Sequence, residues 1–176
     1  MDVISNMNNP VWDVYEQYRT VRVNVLRYEK QLTWTERKNK WMDIFIAVST
    51  SSTAASMWFV KYTYFGDYTW QVCSVIAVIL SIIKPILKYQ DKIKVTRALL
   101  AEYRALDYAY QKLVISIKQR GKYDDELKNK FLVLLDKRAR IIDEFVAGPI
   151  ASIQRNRALD QANEELPPQD FYVPEV

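Results

Sequence analysis

Two uncharged apolar stretches lie back to back near the middle of this chain, and they limit what it can fold into. Ile44 to Val60 is 17 residues without a charge, Tyr68 to Ile83 is 16, and only Lys61 to Asp67 separates them. As helices they rise about 24 to 25 Å, close to a hydrocarbon core of roughly 30 Å. Trp34, Trp41, Trp58, Tyr62, Tyr64, Tyr68, Trp70 and Tyr89 lie near their ends, where amphipathic rings favour the headgroup level. Lys61 and Lys84 can bury their stems and keep their ammonium groups wet. Arg37, Lys38 and Lys40 precede the first stretch, and Lys84, Lys88, Lys92, Lys94 and Arg97 follow the second. The two stretches are expected to form a transmembrane hairpin, and basic flanks on both outer sides predict that both termini are cytoplasmic and the short loop outside. The competing reading is a buried helical hairpin in a soluble protein. Core helices of that kind usually carry a charged stripe, and these two stretches have none.

The rest of the chain is charged and helical in texture. Asn9-Pro10 is a helix start. Val14, Tyr18, Val21, Val25, Tyr28 and Leu32 then recur in steps of four and three, a heptad seam. No strong breaker separates this seam from the first apolar stretch, so one long helix is expected to enter the membrane. A fresh helix capped by Thr33 or Thr35 is the alternative. Gly66-Asp67 reads as the turn between the spans. Pro85 predicts a kink at the inner end of the second. Leu99, Tyr103, Leu106, Tyr110, Leu113 and Ile117 form a second seam, ended by Gly121. Asp124, Asp125 and Glu126 open a further helix in the sense its dipole favours, with Leu127, Phe131, Leu134, Leu135, Ile141, Ile142 and Phe145 as its apolar positions. Gly148-Pro149 breaks it, a weaker helix covers 150–165, and 167–176 reads as an irregular tail.

The expected fold is all-α: a two-helix transmembrane hairpin continuous with a cytoplasmic helical bundle, which consists of a long N-terminal helix and a C-terminal helical hairpin. The divisions are 1–41 for the N-terminal cytoplasmic helix, 42–88 for the membrane hairpin, 89–166 for the cytoplasmic hairpin with its short last helix, and 167–176 for the tail.

Little in the composition points to catalysis. The chain has no histidine, which removes the commonest general base, the usual triads and most zinc sites. Cys73 is its single cysteine, so one chain can build neither a disulfide nor a thiolate metal site. The first residues, MDVISNMNNP, lack the basic and apolar regions of a cleavable signal peptide. A net charge of +4, much of it beside the apolar stretches, suits anionic lipid better than nucleic acid. No cofactor, no metal and no direct nucleic-acid partner is expected. The acidic run 124–126 reads as a helix start and not as a cation site. Tyr103 and Tyr110, at heptad spacing, read as core in preference to a base-stacking platform, and Tyr108 lies off that seam.

Three features of the apolar region invite a function. Ser49, Ser52, Thr53 and Ser56 share one helix face. Small hydroxyls there either pack helices together, at about 0.6 to 2 kcal/mol per hydrogen bond, or line a narrow wet path enclosed by several chains. Asp43 and Lys84 fall at similar depth and either pair at the interface or merely mark the span ends. Pro85 is either a hinge or an ordinary kink.

A cytoplasmic helix ending in WTERKNKWMDIFIAVSTSSTAAS, a tight hairpin, and a second span running through VIAVILSIIKPILKYQDKIKVTRALLAEYRAL into a long helix together resemble the SLATT family, small bacterial two-span effectors of antiviral conflict systems. The resemblance covers roughly residues 10 to 145 and lies in architecture, with no catalytic motif. It implies an effector that is silent until infection and then opens or disrupts the inner membrane in abortive infection, acting with a nucleotide-synthase or reverse-transcriptase defence partner. The residues by themselves support a non-enzymatic membrane protein that self-associates into a homo-oligomer in the lipid bilayer. Its alternative role is that of an anchor or scaffold for a cytoplasmic complex.

Overall fold

The computed structural model describes residues 9–59, 66–144 and 152–174, with the side chains of 49–74, 77, 85 and 152–155 outside that description. Among the described residues five α-helices follow one another: α1 Val11–Phe59, α2 Gly66–Leu87, α3 Tyr89–Arg120, α4 Asp125–Glu144 and α5 Ser152–Glu165, with a 3-10 turn at Pro168–Asp170. Among the described residues there is no strand. The chain divides into a first unit of Met1–Gln31 with Thr96–Val176 and a second unit of Leu32–Val95, so the boundary falls inside α1 and again inside α3.

The first unit is a helical bundle built on the two seams. Asn9 begins α1: its Oδ1 accepts from the Val11 amide at 3.1 Å and its carbonyl from the Trp12 amide at 3.0 Å, the bonds an N-cap makes to amides that have no partner within the helix. Val14, Tyr18, Val21, Val25 and Tyr28 of α1 are buried, as are all six seam residues of α3 from Leu99 to Ile117. Leu32, last in the first seam, is only half-buried, and there the first unit ends. The seams meet antiparallel. The Tyr18 and Tyr110 rings stack at 6.4 Å and the Tyr28 and Tyr103 rings at 5.4 Å, while Arg22 pairs with Asp107 at 3.1 Å and Arg104 with Glu29 at 2.7 Å.

Gly121, at φ +66°, closes α3, a conformation that glycine adopts at no steric cost. Asp124 caps α4 by accepting from the Leu127 amide at 3.0 Å. Glu126 in the first turn takes Arg120 at 2.8 Å and also Lys130. Those partners hold its carboxyl down at about 2. The acidic run is therefore helix-start chemistry, and no group of metal-ligating side chains exists among the described residues. Leu127, Phe131 and Ile141 are the buried positions of α4. Leu134 and Leu135 are half-buried and Ile142 is exposed. Phe145, Gly148 and Pro149 lie outside the described residues.

α5 closes the other side of α1 through Ala158, Ala162 and Leu159 against Val23 and Leu26. Arg22 links three helices, since it also pairs with Glu165 at 2.7 Å. Burial pushes the Asp107 carboxyl up against the pull of Arg22. At Glu165 burial works in the same direction, but hydrogen bonds from Gln161 and Arg22 outweigh it and hold the group low. The last segment, expected as an irregular tail, is tied down over its described length. The Tyr15 hydroxyl donates to the Leu166 carbonyl at 2.7 Å, the Phe171 ring sits 4.8 Å from that of Tyr15, and Asn9 Nδ2 donates to the Pro174 carbonyl at 3.1 Å.

One core position carries an avoidable cost. Tyr110 is fully buried, its hydroxyl has no hydrogen-bond partner, and burial pushes its pKa up to about 12, with Arg138 pulling slightly the other way. A buried polar group without a partner carries its desolvation penalty uncompensated. Tyr110→Phe is therefore expected to be neutral or stabilising by up to about 1 kcal/mol, raising the thermal midpoint by roughly 2–4 °C. A drop in that midpoint would reveal a partner for the hydroxyl.

The second unit holds the remainder of α1, all of α2 and the first turns of α3. α1 runs unbroken through Thr33 and Thr35 to Phe59, which decides for one long helix over a fresh cap. Gly66 and Asp67, expected to form the turn between the apolar stretches, instead begin α2; residues 60–65 lie outside the described ones. At Pro85, where a kink is expected, the helix assignment is unbroken. α2 continues past Pro85 to Leu87, and the chain then passes through Lys88 at φ +45° before α3 starts at Tyr89. A left-handed residue terminates a helix outright, so the interruption is a helix end three residues beyond the proline.

Candidate functional site

The candidate site lies in the second unit. Among the described side chains, residues of α1 and α2 there expose large apolar groups. On α1 these are Trp41, Ile44, Phe45 and Val48. On α2 they are Val75, Ile76, Val78, Ile79, Ile82, Ile83 and Ile86, with Ile82 at 59 % and Ile86 at 70 % exposure. Isolated exposed leucines and valines are ordinary on a protein surface; seven such residues within twelve positions of one helix are not. Val75, Val78, Ile79, Ile82, Ile83 and Ile86 follow the i, i+3, i+4, i+7, i+8, i+11 spacing, with Ile76 beside them, so they form one broad apolar face of α2. Even so, among the described residues no helix is long and apolar enough to cross a membrane.

A polar cluster closes one end of this surface. Lys84 of α2 and Asp43 of α1 form an ion pair, each side chain partly exposed, with Asn39 Nδ2 donating to the second Asp43 oxygen at 3.2 Å. The two residues singled out in the sequence are thus brought together within one chain. Asn39, which the sequence reading passed over, is 8 % exposed, and its Oδ1 has no hydrogen-bond partner. A cavity of about 400 Å³ adjoins it, lined by Asn39, Lys84, Lys88, Tyr89, Gln90 and Asp91. No periodicity announces Asn39. Its signal is an amide four residues before Asp43, a spacing that puts both on one helix face.

Ser49, Ser52, Thr53 and Ser56 lie along α1, and Pro85 lies in α2; their side chains are outside the described ones. The tyrosines separate clearly. Tyr103 and Tyr110 are core, 4 % and 0 % exposed, while Tyr108 is 69 % exposed, so no stacking platform forms from the three.

In the first unit a groove of about 530 Å³ runs between α3 and α4, with Ala109, Leu113, Val133 and Leu134 along it and Lys112 and Lys130 among its other walls. It contains no pair of groups arranged for acid–base work. No family model, curated protein or solved structure matches the chain.

Proposed function

We propose that this chain is a two-span protein of the bacterial inner membrane that assembles from several copies and permeabilises the bilayer, as an effector of abortive-infection antiphage defence. The observation that carries the membrane part is the apolar surface from Trp41 to Val48 on α1 and from Val75 to Ile86 on α2. Surface of that extent and composition is stable in lipid or under a partner and costly in water. The reading rests on that surface and on the basic flanks, not on helix length. The resemblance to two-span antiviral effectors supports the effector role and a nucleotide-synthase or reverse-transcriptase partner. One hairpin cannot enclose a path, so permeation requires a homo-oligomer, with Ser49, Ser52, Thr53 and Ser56 facing its interior. No chemistry by the chain itself is part of this reading.

A membrane anchor or scaffold is the second reading. It is favoured by the α3–α4 groove and the neighbouring exposed Leu132 and Val133, a place for a cytoplasmic protein to dock. Membrane potential in cells expressing the chain, with and without phage, tests the choice. The effector reading expects depolarisation and dye entry on infection, both abolished when Ser49, Ser52 and Ser56 are changed together to alanine. Unchanged potential throughout, with the chain in the membrane fraction, favours the anchor.

A further inference from the structure

We propose that the face of α1 carrying Trp34, Trp41, Phe45 and Val48 packs against the same face of α1 in a second copy of this chain, as a parallel coiled coil that starts below the membrane and runs into it. The proposal rests on the membrane reading above and locates the contact that holds its oligomer together.

Trp34, Lys38, Trp41, Phe45 and Val48 recur in steps of four and three, and Ser52 continues the count. That is the repeat of a helix packed along its length on another helix. α1 is unbroken from Val11 to Phe59, so these positions form one continuous stripe. Among the described residues nothing covers it: Trp34 is 52 %, Trp41 65 % and Val48 60 % exposed. The chain's own α2 lies on the other side. Asp43, which pairs with Lys84 of α2, stands roughly opposite Trp34, Trp41 and Phe45 at about 100° of rotation per residue.

No single solvent suits the whole stripe. Trp34 precedes Ile44 by ten residues, about 15 Å of helix, whereas a headgroup layer is about 5 to 8 Å deep. Trp34 therefore lies in water, beyond the headgroup level expected of it from the sequence, and an exposed indole there is costly. Val48 lies within the apolar stretch. Lipid reaches Val48 and not Trp34; a soluble protein reaches Trp34 and not Val48. Two separate covers give no reason for the spacing to run unchanged across the boundary. A single cover must itself pass from water into lipid as a helix. α1 of a second copy does this in the same direction, with the same stripe at the same depth. Lys38 is compatible with such a seam. Its ammonium sits 3.4 Å from the centre of the Trp34 ring in its own chain, a cation–π contact, and a single lysine at an inner position of a coiled coil fixes register and strand number. By helical spacing Ser52 and Ser56 fall on this face too, so copies joined at Trp34 and Trp41 bring their hydroxyl positions together.

The test uses the full chain in isolated bacterial membranes, with Cys73→Ser removing its one native thiol. Cysteine is introduced singly at two stripe positions, Trp34→Cys and Trp41→Cys, and at the exposed residue before each, Thr33→Cys and Lys40→Cys, which share their depth but not their face. Oxidation is expected to link the first pair of variants into dimers and to leave the second pair monomeric. Equal linkage at all four positions, or stronger linkage at 33 and 40, overturns the proposal. A linked product that is not a dimer of the chain by mass assigns the stripe to another protein and overturns the choice of occupant. Trp34→Ala combined with Trp41→Ala gives a second measurement. Both rings are exposed, so helical circular dichroism should persist, while self-association in vesicles, read by energy transfer between labelled chains, is expected to weaken at least about thirtyfold, the scale of one tryptophan hot spot. Undiminished association overturns the proposal. Flotation separates the two levels. A chain that floats with vesicles but links no better at 34 and 41 than at 33 and 40 defeats only this inference, and a chain that stays in the aqueous layer with every vesicle defeats the membrane reading and this inference with it.

Discussion

Lysine at both Ile79 and Ile82 is expected to remove the chain from membranes. Both side chains are exposed on α2, at 48 % and 59 %, so the substitutions break no core packing. Ile79 lies four residues and Ile82 one residue from the inner end of the stretch at Ile83, so snorkelling recovers part of the roughly 2.5 to 3.5 kcal/mol that a lysine costs at the centre of a span, and the two together still cost more than about 1.4 kcal/mol. Co-flotation with vesicles should fall at least about tenfold, since 1.4 kcal/mol already corresponds to a factor of ten, and depolarisation of expressing cells should disappear. Ile79→Leu with Ile82→Leu is the control and should behave as the parent does. The doubly charged chain should retain its helical circular dichroism, because the bundle of the first unit does not draw on these residues. Undiminished partitioning by the double-lysine chain would mean that this face never meets lipid.

Truncating Leu106 to alanine is expected to give the largest loss of stability from a single residue. Leu106 is fully buried on α3, between the seam tyrosines Tyr103 and Tyr110. Removing its isobutyl group loses the transfer energy and leaves a void that rigid aromatic neighbours cannot fill, for a cost of about 2 to 5 kcal/mol. Against a total of roughly 5 to 15 kcal/mol, that is a large share. Denaturant titration followed by helical ellipticity measures it, with Leu132→Ala, 48 % exposed, expected within about 0.5 kcal/mol of the parent. Equal costs for the two truncations would contradict the assignment of α3's seam to the interior.

The bundle was legible because its signals are local. Heptad spacing marked Val14 to Tyr28 and Leu99 to Ile117, and those residues are buried. Asn9, Gly121 and Asp124 act at helix ends as such residue types do elsewhere. The errors fell where the decisive contacts are distant in sequence. The same stretch of α1 carries a second apolar edge, Val23 and Leu26, which a single-seam reading left out because its partners Ala158 and Ala162 lie in a helix of low hydrophobicity. The tail is irregular, as expected, apart from the turn at Pro168–Asp170; what was not legible is that Tyr15 and Asn9, over 150 residues away, bond to this end of the chain. At the candidate site, Asp43 and Lys84 were visible as charges at equal depth. Asn39 was not, since an amide inside a charged stretch has no periodic signature. The left-handed Lys88 was hidden for a different reason: lysine has no preference for that conformation, so its residue type does not mark a helix end between 85 and 120.

The first unit is discontinuous along the chain: its opening segment ends at Gln31 and its remaining residues begin only at Thr96. During synthesis the seam of α1 therefore emerges from the ribosome long before any of α3, and further pieces that cover it, α5 and residues 166 to 174, are made later still. The apolar middle is complete before the bundle can close. For that interval Val14, Val21 and Val25 have no native cover, and a nascent chain stalled before Thr96 should be a client of ribosome-bound chaperones.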